Sequence, residues 1–323
     1  MQSGRRSVAR KQGIDVVTPA EELAAINGVN AAALTRSSQE AGGGGAASKR
    51  RAASRLVYLD RALEALPLFR LSDSNEEGAI AFTTPAGGRW RVLPAPGDRL
   101  PGTFDQDVYI ELLYRYQESG RPADGVLTFT LHAFLRAMGR RVDGRTYEQL
   151  RGALARLERT SLESAGGYWD AANGKPLDGA FTLLSAATVD RRRAADRDQL
   201  SLFPSVTAAE PGVARITLAP QVRSNLDAGH VTSLRLGGYS SLLSPVARRI
   251  YRLIAVQLAA GADGRWRVSL DTLADLLPLT QRYPSHILRV IKPASEMLVA
   301  AGIVHAAEET QDGRSWYMEY RWT

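Results

Sequence analysis

Residues 244–298 read SPVARRIYRLIAVQLAAGADGRWRVSLDTLADLLPLTQRYPSHILRVIKPASEML, and their apolar spacing decides the fold. Ser244 to Gly261 predicts a helix that buries Val246, Ile250, Leu253 and Ile254. Arg265 to Val268, with Trp266, reads as a short strand. Ser269 can then cap a helix burying Leu270, Leu273, Ala274 and Leu277, the i, i+3, i+4, i+7 series of one helical face. Pro278 to Pro284 is a turn, and a further helix sets Leu288, Ile291, Ser295 and Leu298 inward. Pro293 lies inside it, where a proline removes a backbone hydrogen bond and costs about 3 kcal/mol. Either the helix bends there, or it starts at Lys292–Pro293 and the preceding residues form a loop.

The same order occurs earlier in the chain. Gln106 to Gly120 is helical in spacing, with Val108, Leu112, Leu113 and Tyr116 inward. Val126 to Phe129 is a strand, and Thr130 can cap a helix burying Leu131, Phe134, Leu135 and Met138, an offset of 139 from the later copy. After a turn at Arg140 to Arg145, Tyr147, Leu150, Leu154 and Leu157 match the later helix at an offset of 141. The two copies therefore differ by two residues in the turn. Each copy ends in extended chain. Ile303 to Glu309 and Ser315 to Trp322 flank Asp312–Gly313, a two-residue hairpin signal, with Trp316, Met318, Tyr320 and Trp322 on one face. In the first copy, Ser161 to Trp169 and Phe181 to Asp190 flank a longer loop containing Asn173–Gly174. Arg191 to Gly212 reads as a loop, Arg215 to Leu218 as a strand and Val222 to Gly229 as a short helix.

Helix, strand, helix, turn, helix and hairpin make the winged helix-turn-helix order. The expected fold is α+β: two tandem winged-helix domains, residues 56–235 (with an extended hairpin) and 236–323. Residues 1–55, rich in Ala, Gly, Ser and Arg, form a predicted disordered basic tail.

The net charge of +7 favours a polyanionic partner. The tail carries +5 of it, so any DNA-binding face on the folded part depends on local sorting of charges. The chain has no cysteine, which excludes disulfides and thiolate metal sites. No apolar run reaches the ~18–20 residues that cross a bilayer, and no apolar segment of a secretory signal follows the basic start. A cytoplasmic protein with no membrane partner is expected.

In a winged helix the third helix enters the major groove and its outward side chains meet base edges. In the second copy these are Ser285, His286, Arg289, Lys292 and Glu296, with Arg282 in the turn before them. Arg314 at the hairpin tip, and less so Arg321, are candidates on the wing. In the first copy the outward residues are Arg145, Gln149 and Arg151, with Arg140 and Arg141 in the turn; Glu148 and Glu158 dilute this face. Arg156 and Arg159 either join it or form ion pairs on a solvated face. Arg248, Arg249 and Arg252 project from a helix that can cross the phosphate backbone, or else make a subunit or domain contact. Arg191, Arg192 and Arg193 are phosphate candidates.

Catalytic chemistry finds little support. His132, His230, His286 and His305 are scattered, without metal-ligand spacing. Asn173–Gly174–Lys175 ends like a phosphate loop, but Trp169 and Pro176 stand where Gly and Ser/Thr belong. Tyr109 and Tyr116 fit a helix core better than strand nicking. No catalytic residue, metal or cofactor is expected.

FDQDVYIELLYRY (Phe104 to Tyr116), YSSLLSPVARRIYRLI (Tyr239 to Ile254) and RVIKPASEML (Arg289 to Leu298) resemble the plasmid replication initiator protein A family. The last segment is also similar to the broader group of two-winged-helix, iteron-binding initiators. The resemblance covers roughly residues 56–323. It implies binding to double-stranded DNA at direct repeats of a replication origin, local melting, and recruitment of host replication proteins such as an initiator and a helicase. It also implies homodimer formation, repression of the protein's own gene, and association with a plasmid or nucleoid in a bacterial cytoplasm. Two other readings share the composition: a winged-helix transcriptional regulator, which would favour a palindrome at its promoter, and an architectural protein, which would bind random DNA equally well.

Overall fold

The computed structural model describes residues 55–71, 78–190 and 212–323. The predicted tail up to residue 54, Arg191 to Arg193, and the predicted loop up to residue 211 lie outside the described residues.

Strand β1 (Leu56–Asp60) runs into one turn of helix, α1 (Arg61–Glu64). Asp60 starts that turn by accepting the Ala62 and Leu63 N–H groups at 2.9 and 3.3 Å. A hairpin of β2 (Ile80–Thr83) and β3 (Arg89–Leu93) precedes α2 (Thr103–Glu118). Helix α2 buries Val108, Leu112, Leu113 and Tyr116 completely, as the spacing predicts. β4 (Val126–Thr130) ends at Thr130, whose hydroxyl accepts the Ala133 N–H at 3.2 Å and opens α3 (Leu131–Ala137). Asp143 caps α4 (Gly144–Arg159) by accepting the Thr146 N–H at 2.9 Å. That bond is the main reason the Asp143 carboxyl sits below its ordinary range.

The strands β5 (Ser161–Asp170), β6 (Lys175–Phe181), β7 (Leu184–Val189) and β8 (Val213–Leu218) follow. Then α5 (Pro220–Asp227), β9 (Val231–Arg235) and α6 (Leu236–Ser241) lead to the second copy. It consists of α7 (Pro245–Ala259), β10 (Arg265–Ser269), α8 (Leu270–Leu276), α9 (Pro284–Ala300), β11 (Ala306–Asp312) and β12 (Ser315–Arg321). Ser269 caps α8 by accepting the Thr272 N–H at 3.1 Å, the counterpart of Thr130 on α3.

Sheet pairing shows which strands correspond. In the second copy the order is β10-β12-β11, in the first β4-β8-β7. Val126 pairs with Thr217 as Arg265 pairs with Arg321, and Ala186 pairs with Thr217 as Ala306 pairs with Arg321. The ribbon of the first copy is thus β7 with β8, and the expected Ser161–Trp169/Phe181–Asp190 hairpin needs correction. Phe181 to Asp190 breaks at Thr182–Leu183, and β5 with β6 is an additional hairpin turning at Asn173–Gly174. It extends β2 and β3 into a four-stranded sheet, β2-β3-β5-β6. The register between β3 and β5 shifts where Gly88, Gly166 and Gly167 meet. A Cβ on Gly88 would lie 2.2 Å from the Gly166 carbonyl oxygen, so only glycine lets the two backbones approach.

Two clusters of buried apolar side chains result. One spans Val57 to Tyr239 and contains Trp90, Tyr109, Tyr116, Phe134 and Tyr168. The other contains Leu71 and residues from Leu242 to Trp322. Phe82 and Tyr251 pack against both. β1 pairs along its length with β9, Leu56 opposite Arg235 and Asp60 opposite Val231, so the first strand of the described chain begins beside the residues that lead into the second copy. Asp60, at the other end of this pairing, is fully buried and also accepts the Tyr168 hydroxyl at 2.6 Å and the Asn225 amide at 3.0 Å. Burial pushes its carboxyl up to about 7 against the lowering effect of those bonds.

Candidate nucleic-acid interface

Helix α9 has one dry side and one wet side. Ile287, Ile291, Ala294, Ser295 and Leu298 are buried, so Ile291, Ser295 and Leu298 point inward as the spacing predicts, whereas Leu288 is half-buried and Ile287 takes its place. The Ser295 and Tyr320 hydroxyls bond at 3.1 Å inside the core and fix the helix to β12. Pro284 occupies the first turn, and the helix continues through Pro293, so the alternative start at Lys292–Pro293 does not hold. Pro293 is exposed, and its missing N–H leaves the Arg289 carbonyl without its usual helical donor.

On the wet side Ser285, His286, Arg289, Lys292 and Glu296 are all exposed. Their charges are not equally available. Lys292 pairs with Glu309 at 2.8 Å, Arg282 with Asp275 at 3.0 Å, and Arg321 with Glu308. Arg289 and Arg314 have no ion pair among the described residues, and Arg314 stands at the β11–β12 turn beside Gly313. Tyr283, outside the residues that the sequence singles out, precedes the helix at 72% exposure, its ring edge-on to His286 at 5.8 Å. The signal available for it was an aromatic residue directly before a proline that opens the helix.

Helix α4 offers a thinner cationic face. Arg145 and Gln149 are exposed, and Arg141 is exposed but 3.4 Å from Asp143. Arg151 is held by Glu148 at 2.6 Å, and Arg140 by Asp107 at 2.7 Å. Arg156 turns inward to Asp105, while Arg159 is exposed.

Arg248, Arg249 and Arg252 are not a phosphate face. Arg249 and Arg252 are 3% and 1% exposed, and Arg248 is bound within the fold, so the domain-contact alternative describes them. Arg252 donates to both carboxylate oxygens of Glu64, at 2.6 and 2.8 Å, and to the Gln106 side-chain oxygen at 2.7 Å. Arg249 donates to the Glu64 and Leu66 carbonyls at 2.9 and 2.7 Å. Arg248 donates to both oxygens of Asp107 at 2.9 and 2.8 Å, and the Tyr239 hydroxyl donates to Asp107 at 2.8 Å. Burial pulls Arg249 down to about 9, with the neighbouring Arg252 charge adding to the pull. Burial acts on Arg252 in the same direction, but the two-point grip of Glu64 outweighs it and holds that guanidinium above its ordinary range. Helix α7 also buries Val246, Ala247, Ile250, Leu253, Ile254, Ala255 and Val256. A helix covered on so many sides can keep arginines only by pairing them.

Tyr109 and Tyr116 are fully buried, and Asn173–Gly174 lies in a hairpin turn. Among the described residues no helix is long and apolar enough to cross a membrane.

No curated relative matches the chain significantly. The crystal structure of domains 2 and 3 of RctB is similar in fold, with a TM-score of 0.50 and 11% identity, covering 82% of this chain and 99% of that one. The Pi initiator protein in complex with iteron DNA gives a TM-score of 0.48 and 13% identity over 84% of this chain and 98% of that one. The family profile described as Replication initiator protein A matches residues 59–277, from β1 to the turn after α8. The chain belongs to the replication initiator protein A family.

Proposed function

We propose that the protein is a non-enzymatic, sequence-specific binder of duplex DNA that starts replication at directly repeated origin sites. In this reading residues 56–235 and 236–323 are two winged-helix domains. Helices α4 and α9 enter successive major grooves, and the ribbons β7–β8 and β11–β12 serve as wings. The observation that carries it is the wet side of α9. Ser285, His286 and Arg289 stand exposed on one helix whose other side is interred, and Arg289 keeps its guanidinium free for a guanine edge. Membership of an initiator family supports the origin role. Host replication proteins and a second copy of the chain are the expected partners, the cytoplasm the expected compartment, and repression of its own gene an expected by-product of binding near the origin.

Selection of bound duplexes from a random pool at about 150 mM salt tests the reading, because non-specific phosphate binding is weak there. A repeated motif recovered in successive rounds supports it. Uniform recovery of the pool would refute it.

A further inference from the structure

The cluster of Glu64, Arg249 and Arg252 with Gln106, Asp107, Arg248 and Tyr239 joins the two copies of the repeat. Glu64 lies on α1 and Gln106 and Asp107 on α2, the first helix of the first copy; the three arginines lie on α7, the first helix of the second. Tyr239, on α6, bridges them by donating to Asp107 at 2.8 Å and accepting from the Gln106 amide at 3.2 Å. Apolar surfaces can slide a little at small cost, because their attraction has no direction. Here the geometry is directional. Arg252 meets one carboxylate through two parallel bonds, and Arg249 spends its donors on two carbonyls of the same turn. A shift of α7 against α2 leaves buried charge without a partner, a strongly unfavourable state. One arrangement satisfies every member, and its neighbours do not.

We propose that this buried cluster makes the two copies one rigid reader and so sets the spacing between the two DNA segments that the protein accepts. The inference rests on the DNA-binding reading above, with α4 and α9 as the two reading helices. In their roles Glu64, Asp107, Arg248 and Arg252 are positioning residues that touch no DNA. Two reading helices held by a soft joint would tolerate added base pairs between their segments, whereas a rigid pair loses one segment when the other is bound.

The test uses the full chain and a duplex selected from random DNA in which footprinting shows two protected segments. About five base pairs, half a helical turn, are inserted between the segments, and binding is compared with a duplex that carries one segment alone. For the wild type the insertion is expected to lower affinity by about a hundredfold, to the level of the single segment. In Glu64→Gln the insertion is expected to cost no more than about threefold, with single-segment affinity unchanged. Where Glu64→Gln fails to fold, Asp107→Asn, at the half-buried rim of the cluster, and Tyr239→Phe, which removes only a buried hydroxyl, carry the same expectation. A wild type that tolerates the insertion, or folded variants as strict about spacing as the wild type, would overturn the proposal. A wild type that selects no sequence, or protects a single segment, would remove the DNA-binding reading first and this inference with it.

Discussion

Arg156 grips Asp105 through two parallel bonds, Nε to Oδ2 at 3.0 Å and Nη2 to Oδ1 at 2.7 Å, with both side chains almost withdrawn from solvent. The same carboxylate accepts the Gly102 N–H at 2.7 Å, so one pair ties α4 to the first turn of α2. Arg156→Ala leaves Asp105 buried and short of its counter-charge, and is expected to cost about 3 kcal/mol of unfolding free energy. At a temperature where the variant is folded, its DNA affinity should match the wild type. Denaturant titration and binding isotherms check the two halves; reduced affinity with unchanged stability would return Arg156 to the DNA-facing set.

Arg289 and Arg314 are expected to behave in the opposite way. Both are exposed and lack an ion pair among the described residues, so their alanine variants should unfold like the wild type. Arg289→Ala should relax base preference at one position and cost about 1–3 kcal/mol of binding. Arg314→Ala should weaken all sequences equally and lower the salt slope by about one. Sequence preference that survives Arg289→Ala intact removes that residue from the readers.

Asp60 predicts a pH dependence of stability. Its carboxyl is raised from 3.8 to about 7 by burial, so the folded state holds a proton that the unfolded chain has already lost. The protonated acid can donate to Tyr168, whose hydroxyl also reaches the Gln221 carbonyl at 3.2 Å. The stability from this group is complete below pH 3.8 and is lost as the pH rises to about 7, a span worth about 4 kcal/mol at most. Asp60→Asn mimics the neutral acid. The difference in unfolding free energy between wild type and variant should change by about one proton's slope between pH 4 and 7 and flatten above it. A difference independent of pH over that range would show that Asp60 stays ionised.

Gly88→Ala should be costly out of proportion to its size. The new methyl meets the Gly166 carbonyl oxygen at 2.2 Å and carbonyl carbon at 2.5 Å, and both are backbone atoms with little room to move. A loss of about 1–3 kcal/mol is expected from overpacking, read by thermal or denaturant unfolding. Wild-type stability would mean that β3 and β5 can part at this point without loss.

Local chemistry made much of this fold readable. Thr130 and Ser269 announce their helices as capping residues, and the buried sets of α2 and α8 follow from apolar spacing, as does that of α3 except for Met138, which is half-buried at the end of the helix. Pairing at long range was not readable in the same way. β4 finds its partner in β8, across an additional hairpin whose Asn–Gly turn is a true turn signal attached to the wrong ribbon. β1 pairs with β9 from the far end of the first copy. The candidate site divides along the same line. Exposure of Ser285, His286 and Arg289 follows from helical phase, although Ile287 rather than Leu288 takes the first inward position. The three arginines of α7 look like a cationic face because their partners are remote. Arg248 meets Asp107 of α2, and Arg249 and Arg252 meet Glu64, which lies 188 residues before Arg252 in a single turn of helix with no periodicity to reveal it.

The β1–β9 pairing and the Glu64–Arg252 grip bear on how the molecule can be dissected. A cut after Ser241 would divide the apolar clusters almost cleanly, yet each fragment would inherit half of a salt bridge. The amino-terminal piece would keep an interred carboxylate facing water through a fresh wound, and the carboxy-terminal piece would carry two guanidiniums and the empty seat of Leu71. The copies have separate hearts and a shared spine, so neither is built to live as a severed fragment.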